Sequence, residues 1–206
     1  MPHASDPFFR TFHALRIKGF AKADTVAEVA DLPVAAAAEQ LGVLAQREWA
    51  MFREVRQLWQ LTPLGREQHR EALALDAEGV DLHAALAEPY RRFLPLNDQF
   101  KQLCTDWQMR DGQLNDHSDA QYDTAVVARL TALDAAVGPI LADFASVVGR
   151  LAPYRQRLAQ TCQRVANGET NMFTGVMCGS YHDVWMELHE DLILTQGIDR
   201  AAEGSF

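Results

Sequence analysis

Cysteine is scarce in this chain: Cys104, Cys162 and Cys178 are the only three among 206 residues. An odd, widely spaced set supports neither a disulfide framework nor a zinc site, and it fits a reducing cytoplasm. Proline (8) and glycine (12) are few and scattered, and no low-complexity tract or internal repeat is present. No apolar run approaches the ~20 residues that a membrane span needs. The opening Met1-Pro2-His3-Ala4-Ser5-Asp6-Pro7 has neither the basic nor the apolar region of a secretion signal. Reaction motifs are missing as well: there is no Gly-rich phosphate loop, no Gly-x-Ser-x-Gly elbow and no His-Glu-x-x-His. Cys178 has no cationic neighbour in sequence that would activate its thiol. The chain therefore does not read as an enzyme, and no cofactor is expected.

What is present is an ordinary globular composition, 48% hydrophobic and 23% charged, ample for a real core. The net charge of −9 is unevenly placed. Through Leu75, nine Lys/Arg balance nine Asp/Glu; from Asp76 onward, ten stand against nineteen. All the acidity belongs to the second part. That argues against broad nucleic-acid coating but leaves room for a local docking face.

Phe8, Phe12 and Leu15 share a face at helical spacing, so Phe8–Phe20 reads as a first helix that Gly19 can end. Asp24 or Thr25 caps a short second helix through Val26, Val29 and Ala30, with Glu28 completing a capping box. Pro33 suits the first position of a third helix, about Val34 to Arg47, whose buried stripe is Ala37, Leu41 and Leu44. The period then changes. Trp49–Phe52 and Leu58–Leu61 flank Arg53-Glu54-Val55-Arg56-Gln57, which predicts a small β-hairpin with a charged tip. Thr62 and Pro63 open a further helix. The remainder predicts helices over 80–93, 96–109, 122–135, 138–151, 154–166 and 180–196, with Pro89, Pro95, Pro139 and Pro153 as punctuation.

Three helices, a hairpin, and then Leu61-Thr62-Pro63-Leu64-Gly65-Arg66 opening a helix is an order that resembles the winged helix-turn-helix regulators of the MarR, PadR and GntR types. Those families often leave the second wing strand through a Leu-Thr-x-x-Gly segment. The resemblance covers about the first third of the chain. It implies a mainly α protein, with a winged module over residues 1–75 and a helical dimerisation or effector domain over 76–206. It further implies a transcription regulator that grips double-stranded DNA as a homodimer in the cytoplasm. The third helix would enter the major groove and the hairpin tip would touch the backbone. The DNA-contacting set is then Lys18, Lys22, Gln40, Arg47, Arg53 and Arg56, with Gln40 the base reader. The third helix offers Ala35, Ala36, Ala38 and Glu39 where a reader usually offers polar or basic groups. The alternative is therefore a winged module that docks on a protein partner, such as a phosphoenolpyruvate-utilising phosphotransferase-type enzyme.

Two segments of the second part carry chemistry: Asn115-Asp116-His117-Ser118-Asp119 with Tyr122, and Ser180 to Leu192. Both resemble segments of uncharacterised bacterial proteins, often labelled MarR-like, that join a winged helix to a helical tail. A small-molecule effector is expected among Trp107, His117, Tyr122, His182, Trp185 and His189. His182 and His189 lie two turns apart beside Asp183, Glu187 and Glu190, and a mixed His/carboxylate metal site is one reading of that pattern. The reading adopted has no metal, with Trp185, Leu188 and Leu192 facing the core and the carboxylates in solvent.

Overall fold

The computed structural model describes residues 1–198, so residues 199–206 of the expected second part lie outside the described residues. The chain is mainly helical with a small antiparallel sheet. Helix α1 (Pro7–Lys18) starts on Asp6, whose carboxylate accepts from Phe9 N, and stops at Gly19 with φ 70°. There follow β1 (Phe20–Ala21), α2 (Ala23–Ala30), α3 (Val34–Gln46), β2 (Ala50–Arg53), β3 (Leu58–Leu61) and α4 (Pro63–Asp76).

The expected hairpin is β2–β3, with Ala50 opposite Leu61 and Arg53 opposite Leu58. Residues Phe20 and Ala21, expected to lie within or just after the first helix, add a third strand against Gln60 and Trp59. The capping box expected at Thr25 and Glu28 is not formed. Helix α2 begins two residues earlier, after Lys22 and without a side-chain cap, and Asp24 turns back to the backbone N–H of Thr25. Thr62, by contrast, caps α4 as expected: its Oγ1 accepts from Gly65 N at 2.9 Å, and Pro63 is the first helical residue. Gly65 is obligatory there, because a Cβ would lie 1.9 Å from the carbonyl oxygen of Trp49.

After α4 come α5 (Leu82–Gln108), a ribbon of β4 (Met109–Arg110) and β5 (Gln113–Leu114), α6 (Ala120–Val147) and a 3-10 turn (Gly149–Leu151). Then follow α7 (Pro153–Ala166), the short α8 (Asn171–Thr174) and α9 (Tyr181–Gln196). The ribbon lies in what the sequence presents as a polar loop. Pro89, Pro95 and Pro139 do not break helices: each lies inside a single long one, so four expected helices are two. A proline forfeits one backbone bond, but α5 and α6 lie against each other and bury Leu86, Phe93, Phe100, Leu130, Val137 and Phe144 at 2% exposure or less. That burial, at about 2 kcal/mol per large side chain, outweighs the lost bonds.

Two hydrophobic cores result. One joins Phe12, Leu15, Val26, Leu41, Leu44 and Leu61 of the N-terminal elements; the other runs from Leu82 to Leu192 around Phe93, Phe100, Phe144 and Trp185. The residues before α1 reach the second part, with His3 bridged in parallel to Val148. Among the described residues, α6 is the one helix long and apolar enough by length and composition to cross a membrane.

Candidate functional site

The outer surface of the N-terminal elements is bland along α3. Val34, Ala35, Ala38, Glu39 and Gln46 are exposed, Gln40 is half-buried, and the helix itself carries no Lys or Arg. Arg47 follows its last turn, with its guanidinium 4.7 Å from the Phe8 ring centroid and 5.0 Å from that of Trp49. This stacking fixes the cation at the module's rim. Arg53 and Arg56 are exposed at the hairpin tip beside Glu54, above a cross-strand pair of rings, Phe52 and Trp59, 5.2 Å apart. Lys18 and Lys22 lie elsewhere. The Lys18 ammonium is 2.5 Å from Glu187 Oε1 with little exposure, and Lys22 is exposed on the rim of a crevice.

The inner surface of the same elements is docked on the helical part through a buried polar network. His13, on the face of α1 that also carries Phe9, is 3% exposed; His69 of α4 is 1% exposed. Burial lowers the pKa of both, that of His69 to about 2, so both rings are neutral. His13 Nε2 lies 3.0 Å from Asp191 Oδ1 and His13 Nδ1 lies 3.0 Å from His69 Nε2. An ionised carboxylate only accepts, so Nε2–H of His13 donates to Asp191, and Nε2–H of His69 donates to the bare Nδ1 of His13. Burial opposes ionisation of Asp191, but His13 and Arg150 outweigh it and hold the carboxyl below its usual range. Donors from Tyr154 (3.2 Å) and Thr195 (3.0 Å) complete the shell. Arg150, 5% exposed, is shared between Asp191 and Asp76, and Asp76 also accepts from Ser5 at 2.9 Å and meets His3 at 2.9 Å.

The carboxylates of α9 are therefore not in solvent, as the sequence had implied. Glu187 is 6% and Asp191 3% exposed, because Lys18 of α1 and Arg157 of α7 lie on the first, and the neutral His13 ring and Arg150 on the second. Glu187 takes Lys18 and, at 2.7 Å, Arg157; Glu190 takes Arg16 at 3.1 Å. Sequence reasoning missed this network. Its one visible signal was His13, a titratable residue placed four after Phe9 on an otherwise apolar helix face.

Beside this joint lies an open crevice of about 740 Å³. One wall is Phe20, Lys22 and Thr25 with Leu58 of β3; the other is Met177, Cys178, His182, Asp183 and Met186. Asp183 is committed to the backbone N–H groups of Cys178 (2.9 Å) and Gly179 (3.0 Å). His182 keeps its Nδ1 buried with no hydrogen-bond partner among the described residues.

The expected effector residues are divided among three places. His182 alone is on the crevice. Trp185 is in the core, its Nε1–H donating to Asn97 at 2.9 Å and its ring against Phe93 and Phe100; His189 is buried, 3.3 Å from the Tyr90 hydroxyl. At the far end, the His117 ring lies 4.5 Å from that of Trp107 and its Nδ1 2.9 Å from Asp123, while Tyr122 donates to Asp106 O. Trp107, Tyr122 and Trp185 do not line one pocket: Trp185 is in the core, away from Trp107 and Tyr122 at the far end. Nor do His182 and His189 meet. Among the described residues no three His, Cys, Asp or Glu side chains come together as a metal site.

No protein-family model matches the chain, and no curated protein or solved structure matches it either.

Proposed function

We propose that the chain is a ligand-responsive transcription regulator whose first 75 residues form a winged helix-turn-helix. In this reading α3 lies in the major groove of duplex DNA, Gln40 reads a base edge, and Arg47, Arg53 and Arg56 take phosphates. One observation carries the reading: the module docks α1 on the acidic helical part through His13, Arg16 and Lys18, with His69 of α4 backing His13 from within the module, while the outer face of α3 and the hairpin tip stay exposed. Lys18 is left out of the contact set because Glu187 holds it. Two copies would place two modules on half-sites about one helical turn apart.

The crevice is the natural effector site in this scheme. An occupant would touch β3 of the wing and α9 of the helical part at once, and a ligand that prefers one arrangement of the two shifts their equilibrium. Its mixed lining suits a small amphipathic molecule.

A salt-dependent shift assay with the native upstream region tests the proposal. Specific retardation is expected at low salt. Arg53→Ala should weaken binding on every sequence, whereas Gln40→Ala should alter base preference. Absence of retardation by folded protein would reject duplex binding. The exposed apolar start of α3 (Val34 is 52% exposed, next to Ala35) favours the second reading in that event, a module that docks on a protein partner.

A further inference from the structure

Helix α6 differs from its neighbours in having an apolar outer face. An 18-residue window of it has mean hydropathy 1.6, yet only 33% of that window is buried. Val126, Leu130, Val137 and Phe144 face the core, while Ala125, Ala128, Ala132, Ala135, Pro139 and Ala142 are exposed on the other side. At 100° per residue these six fall on one face. The hydroxyls on that face are already satisfied within the helix: Thr124 donates to Ala120 O at 2.7 Å and Thr131 to Val127 O at 3.1 Å. Covering the face between Thr124 and Ala142 therefore leaves neither threonine hydroxyl unsatisfied.

From Thr124 to Val147 the exposed charges are Arg129 and Asp143, of opposite sign and each seven residues from Ala136. Both lie on the edge toward α5, since Arg129 pairs with Asp106 and Asp143 with Arg92 of that helix. We infer that the outer face of α6 is where a second copy of this chain packs, antiparallel, about a two-fold axis near Ala136. A two-fold axis between antiparallel helices brings residues of one edge opposite each other at equal distances from the centre. Arg129 of each copy then faces Asp143 of the other, twice. Parallel pairing would instead put the two charged edges on opposite sides of the joint, where they could not pair. A bilayer is the weaker occupant, because two charges line the edge of the face and the whole chain is acidic.

A 28-residue helix is about 42 Å long and about 10 Å wide, so the ridge supplies roughly 400 Å² per copy. The total of about 800 Å² is below the standard interface size, so the pairing is weak and transient.

The inference gives a surface to the two-copy part of the proposed function, and its test uses no DNA. Sedimentation of the full chain from about 5 to about 200 µM should show mass rising from 23.0 kDa toward twice that value. Ala135→Arg, at an exposed position, should stay monomeric throughout with an unchanged circular dichroism spectrum. Arg129→Asp alone and Asp143→Arg alone should each stay monomeric, and the double swap should dimerise again. A native chain that is monomeric at the top concentration, a dimer indifferent to Ala135→Arg, or binding to anionic vesicles abolished by Ala135→Arg would each overturn the assignment. A monomer that still retards specific DNA would remove this interface and leave duplex binding standing.

Discussion

At the scale of single residues, the joint between the two parts is governed by which groups are allowed a charge. His69 is ordinarily protonated below about 6.5 but is held neutral down to about 2 by burial. Between those values the unfolded chain binds a proton that the native chain does not, so stability rises with pH through that window and is lost as pH falls. The contribution of His69 is intact above 6.5 and declines by about 1.4 kcal/mol per pH unit below it. His13, lowered likewise by burial, acts in the same direction, and Asp191, held low by His13 and Arg150 against its burial, adds a further loss below its ordinary 3.8. Urea unfolding at pH 7.5 and 5.5 should therefore show a marked loss of stability at the lower pH. In His69→Gln that loss should be smaller by about 1.4 kcal/mol; an unchanged pH dependence would show that the ring is not neutral in the native state. Gly65 makes a second residue-scale case. Its missing side chain is where the Trp49 carbonyl sits, so Gly65→Ala should destabilise by about 2–3 kcal/mol in the same assay. A loss under about 0.5 kcal/mol would mean that the start of β2 moves aside freely.

At the scale of elements, proline is the instructive case. Pro95 lies exposed in the middle of α5, where its ring leaves the Arg91 carbonyl without its helical donor. Pro95→Ala should restore that bond and raise stability by about 2 kcal/mol, the helix gain less the freedom returned to the unfolded chain; thermal unfolding measures it, and a lower midpoint would contradict the account. The same residue shows what was legible in the sequence. Apolar spacing located the segments of α5 and α6 correctly, because burial imposes that spacing whatever happens locally. Where they join was not legible, because a local breaker signal at Pro89, Pro95 and Pro139 competes with tertiary packing that no local pattern records. Thr62 was readable, since its hydroxyl acts on a backbone N–H three residues away. The two-residue strand at Phe20–Ala21 was not, since it exists only by pairing with Trp59 and Gln60, about forty residues on. The candidate site divides the same way. The exposed arginines of the hairpin follow from a charged stretch between apolar strands. The His13–His69–Asp191 network joins positions up to 178 apart in sequence, and beyond the odd placement of His13 on an apolar face nothing local points to its partners.

At the scale of the molecule, an acidic chain proposed to bind DNA must keep its carboxylates from opposing the contact. The docking does part of this, because Glu187, Glu190 and Asp191 are covered by Lys18, Arg16 and His13 of the same module whose other side is free. That arrangement also consumes cations, and so it limits how many phosphates the module can neutralise. With Arg47, Arg53 and Arg56 as the phosphate contacts, two modules place six positive charges against the duplex, and log K should fall with log salt at a slope of about −5. Arg53→Ala removes one cation per copy and should bring the slope to about −4 on specific and unrelated duplexes alike. The competing arrangement makes a different number. If the modules leave the helical part on binding, Arg16 and Lys18 become available too, and the slope should steepen toward about −9. Glu187→Gln then distinguishes the two: it frees Lys18 and loosens the joint, so it should leave a slope near −5 almost unchanged only if the docked form is the one that binds. A slope near zero in the native chain would mean that phosphates are not what the hairpin arginines meet, and the exposed apolar start of α3 would have to be matched to a protein surface instead.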